Sequence, residues 1–176
     1  MYIVLGRFQP FHKGHAHLVE AALAKGSTTI AIGSSQSDSS LNNPWSADER
    51  EKMIRAWLGD REATIVQIPD INDPPNWVEH ASKFHGHGTL VTSDESTKIL
   101  YEDSNFPVEW VSLTNRDSLE GWRVRATLKM LSTVYETEAQ RQIMLHSIPS
   151  EVVDWLIESD ALYRLYSMSR DLEHAG

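Results

Sequence analysis

The chain has 176 residues, 40% of them apolar, which is enough for one well-buried core and short of what two full domains usually need. Its formal charge of −9 sets the overall field against nucleic acid and anionic membrane surfaces, so neither is expected as a partner. The sequence holds no cysteine, which excludes disulfides, thiolate metal sites and a cysteine nucleophile; no run is long enough for a membrane span, the N-terminal MYIVLGRFQPFHKGH lacks the basic leader of a signal peptide, and a cytoplasmic enzyme is expected.

Taken in chain order, the first predicted strand covers residues 2–5, and a loop leads from it into a predicted helix over 14–24. Leu18, Ala21, Ala22 and Leu23 give that helix an apolar stripe at helical spacing. A second strand over 28–32 opens into SSQSDSSLNN at 34–43, a tract too rich in Ser and Asn to be anything but a loop. The alternation then continues with a helix over 47–58, a strand over 64–68, a helix over 77–84, a strand over 89–92, a shorter helix over 96–102 and a strand over 108–113. Beyond Leu113 the pattern is helical, with helices predicted at 123–131, 136–146, 149–158 and 161–169. Pro149 suits a helix start, with Ser147 and Ser150 competing for the cap. Alternating strands and helices predict an α/β fold with a doubly wound, parallel five-stranded sheet followed by C-terminal helices. One domain is expected over 1–176, with the α/β core in 1–132 and a helical part in 133–176. In such sheets ligands bind at the carboxyl ends of the strands, which directs attention to the loops there.

The loop after the first strand reads Gly6-Arg7-Phe8-Gln9-Pro10-Phe11-His12-Lys13-Gly14-His15 and runs straight into a helix N-terminus, where unpaired backbone N–H groups favour an anion. Gly6 lets a ligand approach the backbone, Gly14 removes a side chain at the helix start, and His12, Lys13 and His15 each supply a donor for a phosphate oxygen. Two alternatives stand beside phosphate binding. The histidines could be surface or capping groups, or His12, His15 and His17, like His85 and His87 further on, could ligate a metal. A zinc site has no need of the Gly and Lys found here.

GRFQPFHKGH resembles the HxGH signature of nucleotidyltransferases, and most of all that of the archaeal-type nicotinamide-nucleotide adenylyltransferases. The resemblance continues through Ile32-Gly33-Ser34-Ser35-Gln36, Asn43-Pro44-Trp45, Glu49-Arg50, Pro69-Asp70-Ile71-Asn72 leading to Trp77-Val78, and the stretch 148–166. It implies a Rossmann-like nucleotidyltransferase fold and an adenylyl transfer from ATP to nicotinamide mononucleotide. It implies that His12, His15 and Arg125 are catalytic, and that Gly6, Arg7, Phe8, Lys13, Gly14, Ser93, Asp94, Gly121 and Arg123 serve ATP. Gln9, Arg50, Asp70, Asn72 and Trp77 would serve the acceptor, with Arg50 on its phosphate and Trp77 stacked on the nicotinamide ring. The residues alone also allow Trp77 as an ordinary core aromatic and Arg50 as a solvated helix charge paired with nearby glutamates.

Two positions depart from the family pattern. Glu120 and Trp122 flank Gly121 where the family has a hydroxyl and a small residue, with Arg123 placed to offset the added charge. Pro74-Pro75 stands where relatives often carry an Asn, a role that Asn72 or Asn76 could take. The expected chemistry is in-line attack of an acceptor phosphate oxygen on the α-phosphorus of ATP. With a second phosphate pKa near ~6 the acceptor is already ionised at neutral pH, and no strong general base is required. Mg²⁺ is the expected cofactor, held mainly through the ATP phosphates with no protein metal site. Phosphopantetheine, a glycerol or sugar phosphate, or CTP in place of ATP remain alternative substrates; a nucleotide-binding module without turnover and a zinc-binding domain are alternatives of another class. A homo-oligomer is expected from the resemblance.

Overall fold

The computed structural model describes residues 1–113 and 119–173, with side chains described through residue 170. The chain divides into two compact units, one of residues 1–7, 15–37 and 60–114 and the other of residues 8–14, 38–59 and 115–176.

The first unit is built on five strands: β1 (Tyr2–Gly6), β2 (Thr28–Ile32), β3 (Thr64–Gln67), β4 (Thr89–Thr92) and β5 (Val108–Trp110). They lie in the order β3-β2-β1-β4-β5 and every pairing is parallel. That is the doubly wound order, with the switch between β1 and β4, where the carboxyl ends of the strands open a crevice. β2 is buried at all five positions, which is why it reads as an unbroken Thr-Thr-Ile-Ala-Ile run. Helix α1 (Lys13–Leu23) belongs to this unit from His15 onward, together with α3 (Trp77–His85) and α4 (Glu95–Asp103). Ile3, Val78, Leu90 and Tyr101 form one apolar cluster, and Ala31, Ile68 and Ala81 another; Leu5 and the half-buried Trp77 pack against both. At the edge of this core the His85 Nε2 lies 2.8 Å from the Tyr101 hydroxyl, and its Nδ1 donates to the Gly86 carbonyl at 2.7 Å. His87 stacks on Phe106 with centroids 5.4 Å apart.

β5 is shorter than the predicted 108–113. Its register ends with Thr92 opposite Trp110, where β4 itself stops, so after a last bond from Val111 N–H to the Thr92 carbonyl nothing remains to pair with. Two further local features were not read from the sequence. Pro74–Asn76 forms a 3-10 turn ahead of α3, and Asp94 caps α4 by accepting from the Thr97 N–H at 2.8 Å.

The second unit is helical: α2 (Ala47–Leu58), α5 (Gly121–Leu131), α6 (Thr137–Met144), α7 (Ser150–Glu158) and α8 (Ala161–Glu173). α7 packs on α2, α6 and α8, while α5 packs on α6 and α8. Met53, Ile54, Val124, Leu128, Val152, Val153, Leu156 and Leu165 supply its interior. α2 begins with a reciprocal cap in which Ser46 Oγ accepts from the Glu49 N–H and the Glu49 carboxylate accepts from the Ser46 N–H. At α7 Pro149 itself takes the N-cap position, and neither Ser147 nor Ser150 caps the helix. Phe8 and Phe11, from the loop after β1, are buried in this unit, Phe11 against Trp57 with centroids 4.9 Å apart.

Candidate active site

In the first unit the carboxyl ends of β1 and β2 open onto a cavity of about 230 Å³ lined by Leu5, Gly6, Arg7, Gly33, Ser34, Asp70, Trp77 and Thr97. Four residues singled out by sequence meet there: Gly6, Arg7, Asp70 and Trp77. The Trp77 indole Nε1 donates to Asp70 Oδ1 at 3.2 Å, which fixes the ring's rotation. Asp70 is held in turn by Gln36, whose amide donates to the Asp70 carbonyl and accepts from the Asp70 N–H, both at 2.9 Å. Gln36, which the sequence marks only as part of the Ile32–Gln36 motif, is by its geometry the support for Asp70. Ser93 and Asp94 follow β4 at the same end of the sheet, Ser93 buried and the Asp94 carboxylate engaged by Thr97. Asn72 is exposed and its backbone is left-handed at φ 51°; Ser34, on the cavity wall, has φ 49°. Non-glycine residues in that region concentrate at ligand-binding loops, which both of these are by position. His15 lies half-buried in the first turn of α1, a helix whose first turn carries no acidic residue to neutralise its positive end.

In the second unit the loop residues gather around His12. The His12 ring is buried, and its Nδ1 accepts a 3.2 Å hydrogen bond from the Gly14 N–H. Burial first, and the Arg125 charge second, push its imidazole down to about 4, so at neutral pH the ring is uncharged and carries its proton on Nε2. Glycine leaves the ring room there. A Cβ at position 14 would sit 3.1 Å from two atoms of the His12 ring, and one at Gly121 would sit 3.2 Å from Nη1 of Arg125. Each glycine of the two motifs therefore clears space for the side chain the motif presents. Arg125 Nη1 also donates to the Gln9 carbonyl at 2.9 Å. With Lys129, Asn42 and Trp122, Arg125 lines a second cavity of about 240 Å³. Arg50, in the first turn of α2, is 1% exposed and donates Nε to the Ser46 carbonyl. A guanidinium this buried is no solvated helix charge, and its neighbour Glu49 is bound by Arg164 instead.

Other sequence candidates have local duties. Both polar atoms of the Gln9 side chain bond the Trp45 backbone, at 2.7 and 3.1 Å. Lys13 Nζ donates to the Leu145 carbonyl at 2.6 Å, and Phe8 is buried with its backbone at φ 50°. Arg123 pairs with Glu120 at 3.3 Å and lies over the Trp122 ring at 4.5 Å, while the Trp122 indole donates to the same Glu120 oxygen at 2.7 Å. The charge that Glu120 introduces is thus met within its own turn. Among the described residues no group of three or more His, Asp or Glu is placed to hold a metal ion, and no helix is long and apolar enough to cross a membrane.

Residues 3–98 match the profile of the family described as Cytidylyltransferase-like. The nicotinamide-nucleotide adenylyltransferase of Methanococcus vannielii is 31% identical over 166 residues, covering 92% of this chain and 91% of its own. That of Thermoplasma acidophilum is 29% identical over 171 residues, covering 94% of this chain and 90% of its own. The chain belongs to the nicotinamide-nucleotide adenylyltransferase family. As an adenylyltransferase of this family it also shares its fold with two crystal structures of bifunctional NMN adenylyltransferase/ADP ribose pyrophosphatase from Francisella tularensis. One, at TM-score 0.63 and 24% identity, covers 73% of this chain and 42% of its own; the other, complexed with AMP and a manganese ion, gives TM-score 0.61 at 18% identity and covers 90% and 52%. The adenylyltransferase chain therefore spans about half the length of those bifunctional proteins.

The depressed His12 and His85 make the adenylyltransferase sensitive to acid. Burial lowers His85 as well, with the His87 charge adding to it and the bond to Gly86 opposing. A histidine held below its ordinary 6.5 takes up no proton in the folded state while the unfolded chain does, so its contribution to stability is complete above pH 6.5 and is lost as pH falls toward the folded value, about 4 for His12. The His12 share amounts to roughly 3 kcal/mol across that window. Urea titrations at pH 7 and pH 4.5 should show a lower midpoint in acid, and a smaller drop in His12→Asn, which keeps an acceptor for Gly14. Equal drops in the two proteins would show that His12 is not the source.

Proposed function

We propose that the protein transfers the adenylyl group of ATP to nicotinamide mononucleotide, forming NAD and releasing pyrophosphate. The observation that carries this reading is the cavity at the ends of β1 and β2, where Gly6 and Arg7 meet an indole whose rotation is set by Asp70. A flat, cationic nicotinamide ring is the acceptor group that an indole face and a nearby carboxylate suit best. The names carried by relatives over nearly the full chain agree with it.

In the reaction a phosphate oxygen of the acceptor forms the new bond to the α-phosphorus, and the bond from that phosphorus to the pyrophosphate oxygen breaks. The acceptor arrives ionised, so the protein's task is to position two anions and neutralise growing charge. His12 offers an Nε2–H from a neutral ring, Arg125 a fixed positive charge, and His15 a donor at a helix N-terminus. Arg50 has the fork of donors for a phosphate, and its burial strengthens that interaction. Arg7, Lys13, Gly14, Gly121 and the turn at Ser93 and Asp94 belong to the ATP side in this reading. Mg²⁺ fits a donor set of this kind, because it keeps phosphate and water ligands and needs no protein cage; bound through the triphosphate it supplies charge neutralisation. The reading places the protein in the cytoplasm as a homo-oligomer. Pairing of Glu120 with Arg123 removes the main reason for supposing turnover lost.

Purified protein incubated with ATP or CTP and a panel of acceptors tests the proposal through pyrophosphate release. Nicotinamide mononucleotide with ATP should be the productive pair; release only with phosphopantetheine, a glycerol phosphate or a sugar phosphate would overturn the acceptor, and release with none would overturn the activity. In calorimetry Trp77→Ala should weaken acceptor binding far more than ATP binding, and equal losses would reject the stacking role.

A further inference from the structure

The loop that carries His12 is held by polar contacts that end on the last helix. Arg164 of α8 donates to both oxygens of Glu49, at 2.7 and 2.6 Å, and to the Pro44 carbonyl at 3.0 Å. Glu49 closes the α2 cap at the same time by accepting from the Ser46 N–H. Burial alone would raise the Glu49 carboxyl, but the bonds from Arg164 and the Ser46 backbone hold it below its usual value, so it stays charged and paired. Between Pro44 and Ser46 stands Trp45, fully buried, whose indole Nε1 has no hydrogen-bond partner among the described residues. The ring does not anchor itself through its polar atom; its backbone is tied to Gln9 by two bonds. The Gln9 carbonyl in turn receives Arg125, the cation beside His12.

We propose that Arg164 is a positioning residue for the transfer reaction: by clamping Glu49 and Pro44 it holds the turn at Trp45, and through Gln9 it sets the loop that presents His12 and receives the Arg125 guanidinium. The proposal rests on the adenylyl-transfer reading above. The pair itself is partly exposed, at 37% and 21% of the two side chains, so it contributes little to global stability. Its geometry is another matter: a bidentate bond with a third bond to a carbonyl specifies both distance and angle, which lysine cannot reproduce. Small misplacements of reacting groups cost far more in rate than in folding.

Arg164→Gln should lower kcat with ATP and nicotinamide mononucleotide about tenfold while leaving the KM for ATP within about twofold and the unfolding midpoint nearly unchanged. Arg164→Lys, which keeps the charge, should fall between it and the parent, and gives the same test if the glutamine variant folds poorly. In a Gln9→Ala background the Arg164→Gln change should have little further effect, because the route runs through Gln9. An unchanged kcat, or the same tenfold loss with Gln9 already removed, would overturn the proposal. Should the parent protein make no NAD, the functional reading fails on its own, and the positioning is read from the His12 imidazole resonances. These should shift in Arg164→Gln and stay in place in Arg170→Gln, a change on the same helix where the guanidinium lies over Tyr166. Resonances unmoved in both variants would sink it.

Discussion

His15→Ala is expected to fold normally and to turn over about a hundredfold or more slowly, the loss typical of removing one donor aimed at charge that develops in the transition state. His15 stands in the first turn of α1, where the backbone N–H groups have no intrahelical acceptors and that turn carries no acidic residue. Its imidazole is only half-buried, so truncation removes a donor without opening a hole in the core. Steady-state kinetics with both substrates saturating, alongside far-UV circular dichroism, measure the two halves of the expectation. A folded variant with the parent's kcat would take His15 out of the mechanism.

Arg125→Met is the second large effect and has a signature that simple damage would lack. The guanidinium is one of two causes that hold His12 at about 4, burial being the larger. Replacing it with an apolar chain of similar length should raise the His12 pKa while leaving it below the ordinary value, because burial remains. On the proposed mechanism turnover should drop by about two orders of magnitude or more, since that mechanism assigns the Arg125 charge to the transferring phosphate. The bond to the Gln9 carbonyl goes as well, so the loop loses one of its ties. An NMR titration of the imidazole and initial rates on the same sample check the two together. If the histidine titrates where it did before, Arg125 does not act on it.

The sequence was most informative where an interaction is local. Gly14 beside His12 and Gly121 four residues before Arg125 are read from neighbouring letters, and the steric reason is visible within one turn of helix. The Ser46-to-Glu49 cap follows a spacing that could have been found by inspection, and it identifies Glu49 as a structural carboxylate before any coordinates. Gln36 carried a weaker signal: its place in the loop after β2 was legible, but its grip on Asp70 spans 34 residues and needed the sheet to bring the two together. Lys13 is similar: its place beside two histidines was legible, and its bond to the Leu145 carbonyl, 132 residues away, was not.

By itself the sequence determined the doubly wound α/β alternation, the five strands and the helical C-terminal part, and it supplied the proposal that the loop after β1 binds phosphate. These depend on hydrophobic period, turn residues and donor types, all of which are written in short windows. Tertiary structure alone decided that His12 is neutral, that Arg50 is buried, that Asp70 turns Trp77 in its cavity, and that Arg164 closes on Glu49 across 115 residues. Protonation and orientation follow from dielectric surroundings and from partners distant along the chain, and only packing creates those.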